Sequence, residues 1–222
     1  MMPREMERCQ VRNVIVGSHN PDKLAVLRGL LGGVATVVAP PFPGNPIDEE
    51  VGPTVAAIAS EKARIWSRWL QEHGVSEPVV ATDGGLIVPA LRTRWNPICT
   101  RRFAGERGTP VERARALLDF CEHLRWDHRS IGWIEAASVA FPDEEPATFV
   151  AESPPGVLAL TISEHDFPDG RGFWIPSVWL CPEYGLKRLV DLSAAQRAAR
   201  PDHWDRLGEQ LRQYLISRFA ET

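Results

Sequence analysis

The stretch from Asn13 to Leu24, NVIVGSHNPDKL, constrains the fold more than any other part of this chain. Val14, Ile15 and Val16 form a β-branched run of the kind that fills the middle of a buried sheet. Ser18 and Asn20 suit a turn or N-cap, Pro21 suits the first helical turn, and Leu24, Val26, Leu27, Leu30 and Leu31 give the next helix an apolar stripe. The unit is therefore strand, polar loop, helix N-terminus. Such a corner turns unpaired backbone N–H groups and the positive end of a helix dipole toward an anion, and Lys23 adds a full charge. An ordinary βα connection with a solvated lysine accounts for the same residues. Neither a P-loop nor a Rossmann glycine pattern is present to choose between the two.

An acidic partner follows about sixty residues later. Pro78 to Ala81 reads as a strand that stops at Thr82-Asp83-Gly84-Gly85, where the glycines would let a ligand or a second backbone approach the aspartate. A tight turn with an Asx cap fits the same four residues. Between the two units, Val55, Ile58, Ala59, Ala63, Ile65, Trp66 and Trp69 recur at helical spacing from Thr54 to a stop at His73-Gly74. Glu49 and Glu50 stand just ahead of that helix. They suit its dipole, and equally a Mg²⁺ ion, which is commonly held by one or two carboxylates plus substrate phosphates.

The remaining chain alternates elements of both kinds. Ala35 to Ala39 reads as a strand, Arg92 to Arg107 as an irregular Arg-rich loop, and Thr109 to Leu124 as a helix with Thr109 and Glu112 in capping-box positions. Ser130 to Phe141 and Ala147 to Ala151 make a hairpin, and Leu207, Leu211, Tyr214, Leu215 and Phe219 mark a C-terminal helix. The fold expected is one α/β domain over residues 1–222 with a mixed central sheet and flanking helices. A formal charge of −4 over 222 residues lacks the basic excess of a protein that grips a nucleic-acid polymer. Cys9, Cys99, Cys121 and Cys181 are too scattered for a metal knuckle and read as free thiols. No apolar run suits a signal peptide or membrane span, so a cytoplasmic protein is expected.

Taken in order, these segments resemble the inosine triphosphate pyrophosphatase family, which hydrolyses noncanonical purine nucleoside triphosphates. Ser18-His19-Asn20-Pro21-Asp22-Lys23 is similar to the family's phosphate loop, and Glu50-Val51-Gly52-Pro53-Thr54 to its Glu-Thr-Gly-x-Thr segment. Lys62-Ala63 falls where its helix carries a Lys-Ala pair. Ala81 to Leu86 resembles its Ala-Asp-Asp-Ser-Gly-Leu strand end, and Thr100 to Glu106 its Ser-Ala-Arg-Tyr-x-Gly-Glu loop. Pro155-Gly156-Val157 and Lys187 also fall at family positions.

The resemblance implies two lobes around a cleft, a homodimer, and cleavage of a nucleoside triphosphate to monophosphate and pyrophosphate. Glu50 and Asp83 would hold Mg²⁺, and Asp83 would act in catalysis. Ser18, Asn20, Lys23, Lys62 and Gly84 would bind phosphates, with Arg102 and Lys187 at the rim. Departures cluster elsewhere. Thr82 replaces the first of two acids, and Ala57 and Ile58 replace a Glu and an Asn. The family's Phe-Gly-Tyr-Asp-Pro segment appears as Gly172-Phe173-Trp174-Ile175-Pro176, and Arg200 to Trp204 stands where a Ser-His-Arg triplet is usual. Those two segments form the family's base pocket, which leaves Trp174 and His203 as candidates to stack on or bond to a base. A catalytically weak nucleotide-binding sensor and a structural subunit using the Trp-rich surface are the competing readings.

Overall fold

A computed structural model of the chain describes residues 12–47, 51–100, 102–103, 105, 108–167 and 173–221. Its sheet grows outward from β1 (Arg12–Val16), whose Val14, Ile15 and Val16 are all buried. β2 (Ala35–Val38) and β3 (Val79–Ile87) flank it in parallel, and β4 (Ser130–Ala140) pairs antiparallel with β3. Beyond β4 the sheet splits. β5 (Ala147–Glu152) completes the expected hairpin, whereas the first residues of β4 pair with β6 (Gly156–Leu158), which leads to β7 (Trp179–Cys181) and β8 (Lys187–Arg188). The mixed sheet with flanking helices is the fold class expected from sequence.

Side chains alternate between faces along a strand, and each face takes its own helices. Val14, Val16, Val80, Ala137 and Val139 lie under α1 (Pro21–Leu31) and α6 (His203–Ala220), packed by Leu27, Leu31, Leu207, Leu211 and Leu215. Ala81, Ala136 and Ala140 face α2 (Val55–Glu72), where the small side chains let Val55, Ala59 and Ala63 come close. A second core lies between the β4–β6 half of the sheet and α3 (Pro110–Phe120), joined by the short helix α4 (Ile175–Val178), with Trp95, Trp174 and Trp179 buried in it, while α5 (Ala194–Ala199) buries none of its residues. Helix starts follow their caps: Asn20, Thr54 and Asp202 each accept a backbone N–H, and Thr109 and Glu112 form the reciprocal box.

One expectation is corrected. The third strand does not stop at Ala81; β3 runs unbroken through Asp83, Gly84 and Gly85 to Ile87, paired with β4 from Val79↔Ala140 to Ile87↔Gly132. The ladder with β4 overrides the turn propensity of Asp-Gly-Gly, and the glycines serve close packing instead. A side chain at Gly85 would strike the backbone carbonyl of Pro97, and one at Gly84 the carboxylate of Glu135. Gly85→Ala, pressing on a backbone atom that cannot swing aside, is expected to destabilise the protein by about 1–3 kcal/mol, read from its urea midpoint.

The thiols of Cys99, Cys121 and Cys181 are free, and Cys9 lies outside the described residues. No helix among the described residues is long and apolar enough to cross a membrane.

Candidate active site

Because β1 ends at Val16 while β3 continues, β3 loses its strand neighbour after Val80 and presents an open edge at Thr82 to Gly85, until Thr100 Oγ1 and Trp95 Nε1–H cover the main chain of Leu86. The polar loop after β1 turns over this notch. Gly17 N–H still bonds Val80 O at 2.8 Å, Asn20 N–H donates to Ser18 Oγ at 3.1 Å, and Asn20 Oδ1 accepts from Asp22 N–H at 2.9 Å as the cap of α1. Lys23, one turn into α1, reaches into the notch and donates to Thr82 O at 2.7 Å. His19 anchors the same loop from outside, with Nε2 2.8 Å from Gly44 O and its ring edge-on to Trp66.

The second cation arrives from the other face. Lys62, 7% exposed on α2, donates to Asp83 Oδ1 at 2.8 Å. With 9% and 14% side-chain exposure the pair is nearly dry, so each charge depends on its partners for the solvation that water no longer gives. Lys23, Lys62 and Asp83, separated by up to sixty residues in sequence, are thereby assembled around one stretch of β3. Glu50 lies outside the described residues, as do Arg101 and Glu106; Arg102 is exposed in the turn after Thr100.

A carboxylate that the sequence reading passed over lies beside them. Glu135 sits directly across from Gly84 on β4, on the α1 face, and is 5% exposed. Its Oε2 accepts from Trp133 Nε1–H at 2.8 Å. Burial raises its pKa above the ordinary carboxylate value; Lys23 and the Trp133 bond oppose that shift, and Asp83 adds to it. Glu135 belongs to no motif, and only its pairing with Gly84 reveals it.

Further along the α1 face a cavity of about 440 Å³ opens among Trp133, Phe173, Trp179, Arg197, Arg200 and His203, a size suited to a small planar ligand. Trp133 and Phe173 meet edge to face at 4.9 Å. Trp174 is not part of this wall: it is 4% exposed and packed in the second core, and the rings lining the cavity come from Trp133, Phe173 and Trp179. His203 does line it. Lys187 is exposed on β8, the outermost strand at this end of the sheet, and not at the phosphate-loop notch.

His203 Nδ1 and Trp179 Nε1 are buried without a hydrogen-bond partner among the described residues. Burial pushes the His203 imidazole down to about 4, against the pull of Asp202, so the ring is neutral at pH 7. The unfolded imidazole, at roughly 6.5, takes up its proton first as the solution is acidified. The stability contributed by burying neutral His203 is therefore complete above pH ~6.5 and is lost as the pH falls toward about 4. His203→Leu should flatten the melting-temperature profile between pH 6.5 and 4.5; a slope equal to that of wild type would contradict the burial of a neutral ring.

Relatives place these features in context. The dITP/XTP pyrophosphatase of Geobacillus kaustophilus is 28% identical over 190 residues, 84% of this chain and 86% of the relative. That of Caldanaerobacter subterraneus is 28% identical over 94% of this chain and 98% of its own length. The Ham1 protein of Staphylococcus aureus superposes with a TM-score of 0.73 at 22% identity, covering 93% of this chain and all of that one. The sequence itself matches the Ham1 family from residue 14 to residue 172, which spans the phosphate-loop corner, α2, the notch on β3 and the hairpin, and the chain belongs to that family.

Proposed function

We propose that this chain hydrolyses a noncanonical purine nucleoside triphosphate to the monophosphate and pyrophosphate, removing it from the nucleotide pool. What supports the reading most is the convergence of Lys23, Lys62 and Asp83 on the open edge of β3, beside a loop that carries backbone N–H groups and a helix N-terminus. Two cations aimed at one notch suit a polyphosphate, and a carboxylate between them suits proton transfer.

In this reading Lys23 and Lys62 neutralise phosphate oxygens, and Ser18, Asn20 and the surrounding amides orient them, with the main chain of Gly84 on the same stretch of β3. Asp83 takes the proton of the attacking water as its oxygen bonds the α-phosphorus and the bond to the bridging oxygen breaks, releasing pyrophosphate. Among the described residues the notch offers the carboxylate of Asp83 and the carbonyl of Thr82, hard oxygen donors of the kind that Mg²⁺ takes. Asp83 with Glu50 would hold the ion, which when bound supplies further neutralisation of the polyphosphate. Arg102 is a further cation for the rim, whereas Lys187, out on β8, has no part in this reading. One catalytic domain over residues 1–222, a cytoplasmic location and a homodimer belong to the same proposal, and light scattering tests the last.

Base choice is altered. In place of the family's Asp and Ser-His-Arg groups the cavity offers aromatic faces, a neutral imidazole and the side chains of Arg197, Arg200 and Asp202, so both stacking and a different set of polar contacts carry the recognition. Inosine and xanthosine triphosphates are the default substrates, close in chemistry to the dITP and XTP for which the relatives are named. The test is pyrophosphate release from a panel of modified and ordinary nucleoside triphosphates, with Mg²⁺ and with chelator. Thermal stabilisation by nucleotides without any release would instead identify a binding paralogue. Lys23→Ala is expected to raise KM by about 10–100-fold, since it removes a charge-assisted phosphate contact; an unchanged KM would remove Lys23 from the site.

A further inference from the structure

We infer that Glu135 is a positioning residue for base selection, acting through Trp133, and that Gly84 is what makes this possible. The inference rests on reading the aromatic cavity as the base site.

Three observations carry it. Glu135 is a carboxylate buried to 5% exposure, and the bond at its Oε2 comes from the indole N–H of Trp133, a wall of the cavity. The carboxylate lies flat over Gly84: a methyl group there would collide with Oε2 and would stand 2.9 Å from Trp133 Nε1. Trp133 in turn meets Phe173 edge to face at 4.9 Å and lies 6.5 Å from the His203 ring, so the tilt of its indole sets the spacing of the cavity's aromatic surfaces. A buried carboxyl group is costly unless its oxygens are bonded, and the indole N–H bonded to Oε2 both satisfies that oxygen and fixes the ring. Among the described residues Lys23 of α1 acts on Glu135 from its own face of the sheet, and Asp83 of β3 acts on it from the other. Gly84, Glu135 and Trp133 therefore form one unit on two strands, with the phosphate lysine on one side and the base cavity on the other.

The variants separate hydrogen bond, charge and fold. Glu135→Gln keeps an acceptor for Trp133 and removes the charge; Glu135→Leu removes both; Trp133→Phe keeps a ring and removes the donor. Calorimetry with inosine monophosphate, guanosine monophosphate and inorganic pyrophosphate reads the two ends of the site without requiring turnover. Glu135→Leu and Trp133→Phe should each change the ratio of the two monophosphate Kd values by about fivefold or more, and the double variant should change it no further. Glu135→Gln should restore the wild-type ratio. Pyrophosphate affinity should shift equally in Glu135→Gln and Glu135→Leu, because both lose the carboxyl group beside Lys23, and should be unmoved in Trp133→Phe.

A ratio that stays fixed while melting temperature falls would mean that Glu135 is structural, and the inference would be overturned. Additive effects of Glu135→Leu and Trp133→Phe would overturn it too, as would a wild-type protein that binds neither monophosphate. Failure of the hydrolase reading shows separately, as a wild-type protein that binds these ligands yet releases no pyrophosphate from any triphosphate.

Discussion

Asp83→Asn is expected to lower pyrophosphate release by about three orders of magnitude while leaving a folded protein. The substitution keeps the shape and an oxygen that can accept from Lys62 Nζ, now 2.8 Å away, but it removes the negative charge and the ability to take a proton. Breaking a nearly dry ion pair outright costs about 3–5 kcal/mol, whereas retaining the hydrogen bond should hold the loss well below that. Circular dichroism and a thermal melt check the fold, and a coupled pyrophosphate assay checks the chemistry. Turnover at the wild-type rate in a folded Asp83→Asn protein would end the assignment of Asp83 to the reaction. If release falls while nucleotide affinity is retained, the carboxylate acts in the chemical step and not in binding.

Arg129→Met should be the most damaging substitution away from the notch, costing about 3–5 kcal/mol. Arg129 is 2% exposed and its guanidinium ties two segments to the start of β4, donating to Cys121 O at 2.8 Å, Leu158 O at 3.0 Å and Ala159 O at 2.7 Å. These are the end of α3 and the strand β6 with the residue that follows it. Burial holds the Arg129 pKa below its ordinary value, yet an arginine stays charged, so the carbonyl dipoles provide the solvation that water otherwise would. Methionine fills much of the volume but takes a donor from each of the three carbonyls, of which Cys121 O still accepts Leu124 N–H at 3.0 Å. The urea midpoint reads the loss, and KM of the folded fraction should stay close to wild type because Lys23, Lys62 and Asp83 lie outside this knot. A loss under about 1 kcal/mol would show that the carbonyls find other donors.

Most of the helices were legible because their signals are local. Thr54 caps α2, Thr109 and Glu112 box the start of α3, and the leucine stripe of α6 recurs at helical spacing. β3 was misread because Asp-Gly-Gly carries turn propensity, and the force that keeps it extended comes from β4, about fifty residues downstream. The aromatic wall was misassigned for a related reason. Trp133, Trp174 and Trp179 are equally apolar in sequence, and which of them faces a cavity depends on strand register and on the packing of α4.

The sequence by itself determined the β1–loop–α1 corner, the family, and the candidates Lys23, Lys62 and Asp83, because these reside in short motifs whose residue types and spacing carry their chemistry. Tertiary structure alone decided that β3 outruns β1 and so opens a notch where a lysine from each face of the sheet reaches the same strand. It also decided that Glu135 rests on Gly84 and holds Trp133 at the cavity wall. Both are matters of register between strands far apart in the chain. A one-residue slip would send those side chains to the opposite face, and no local pattern records which register is taken.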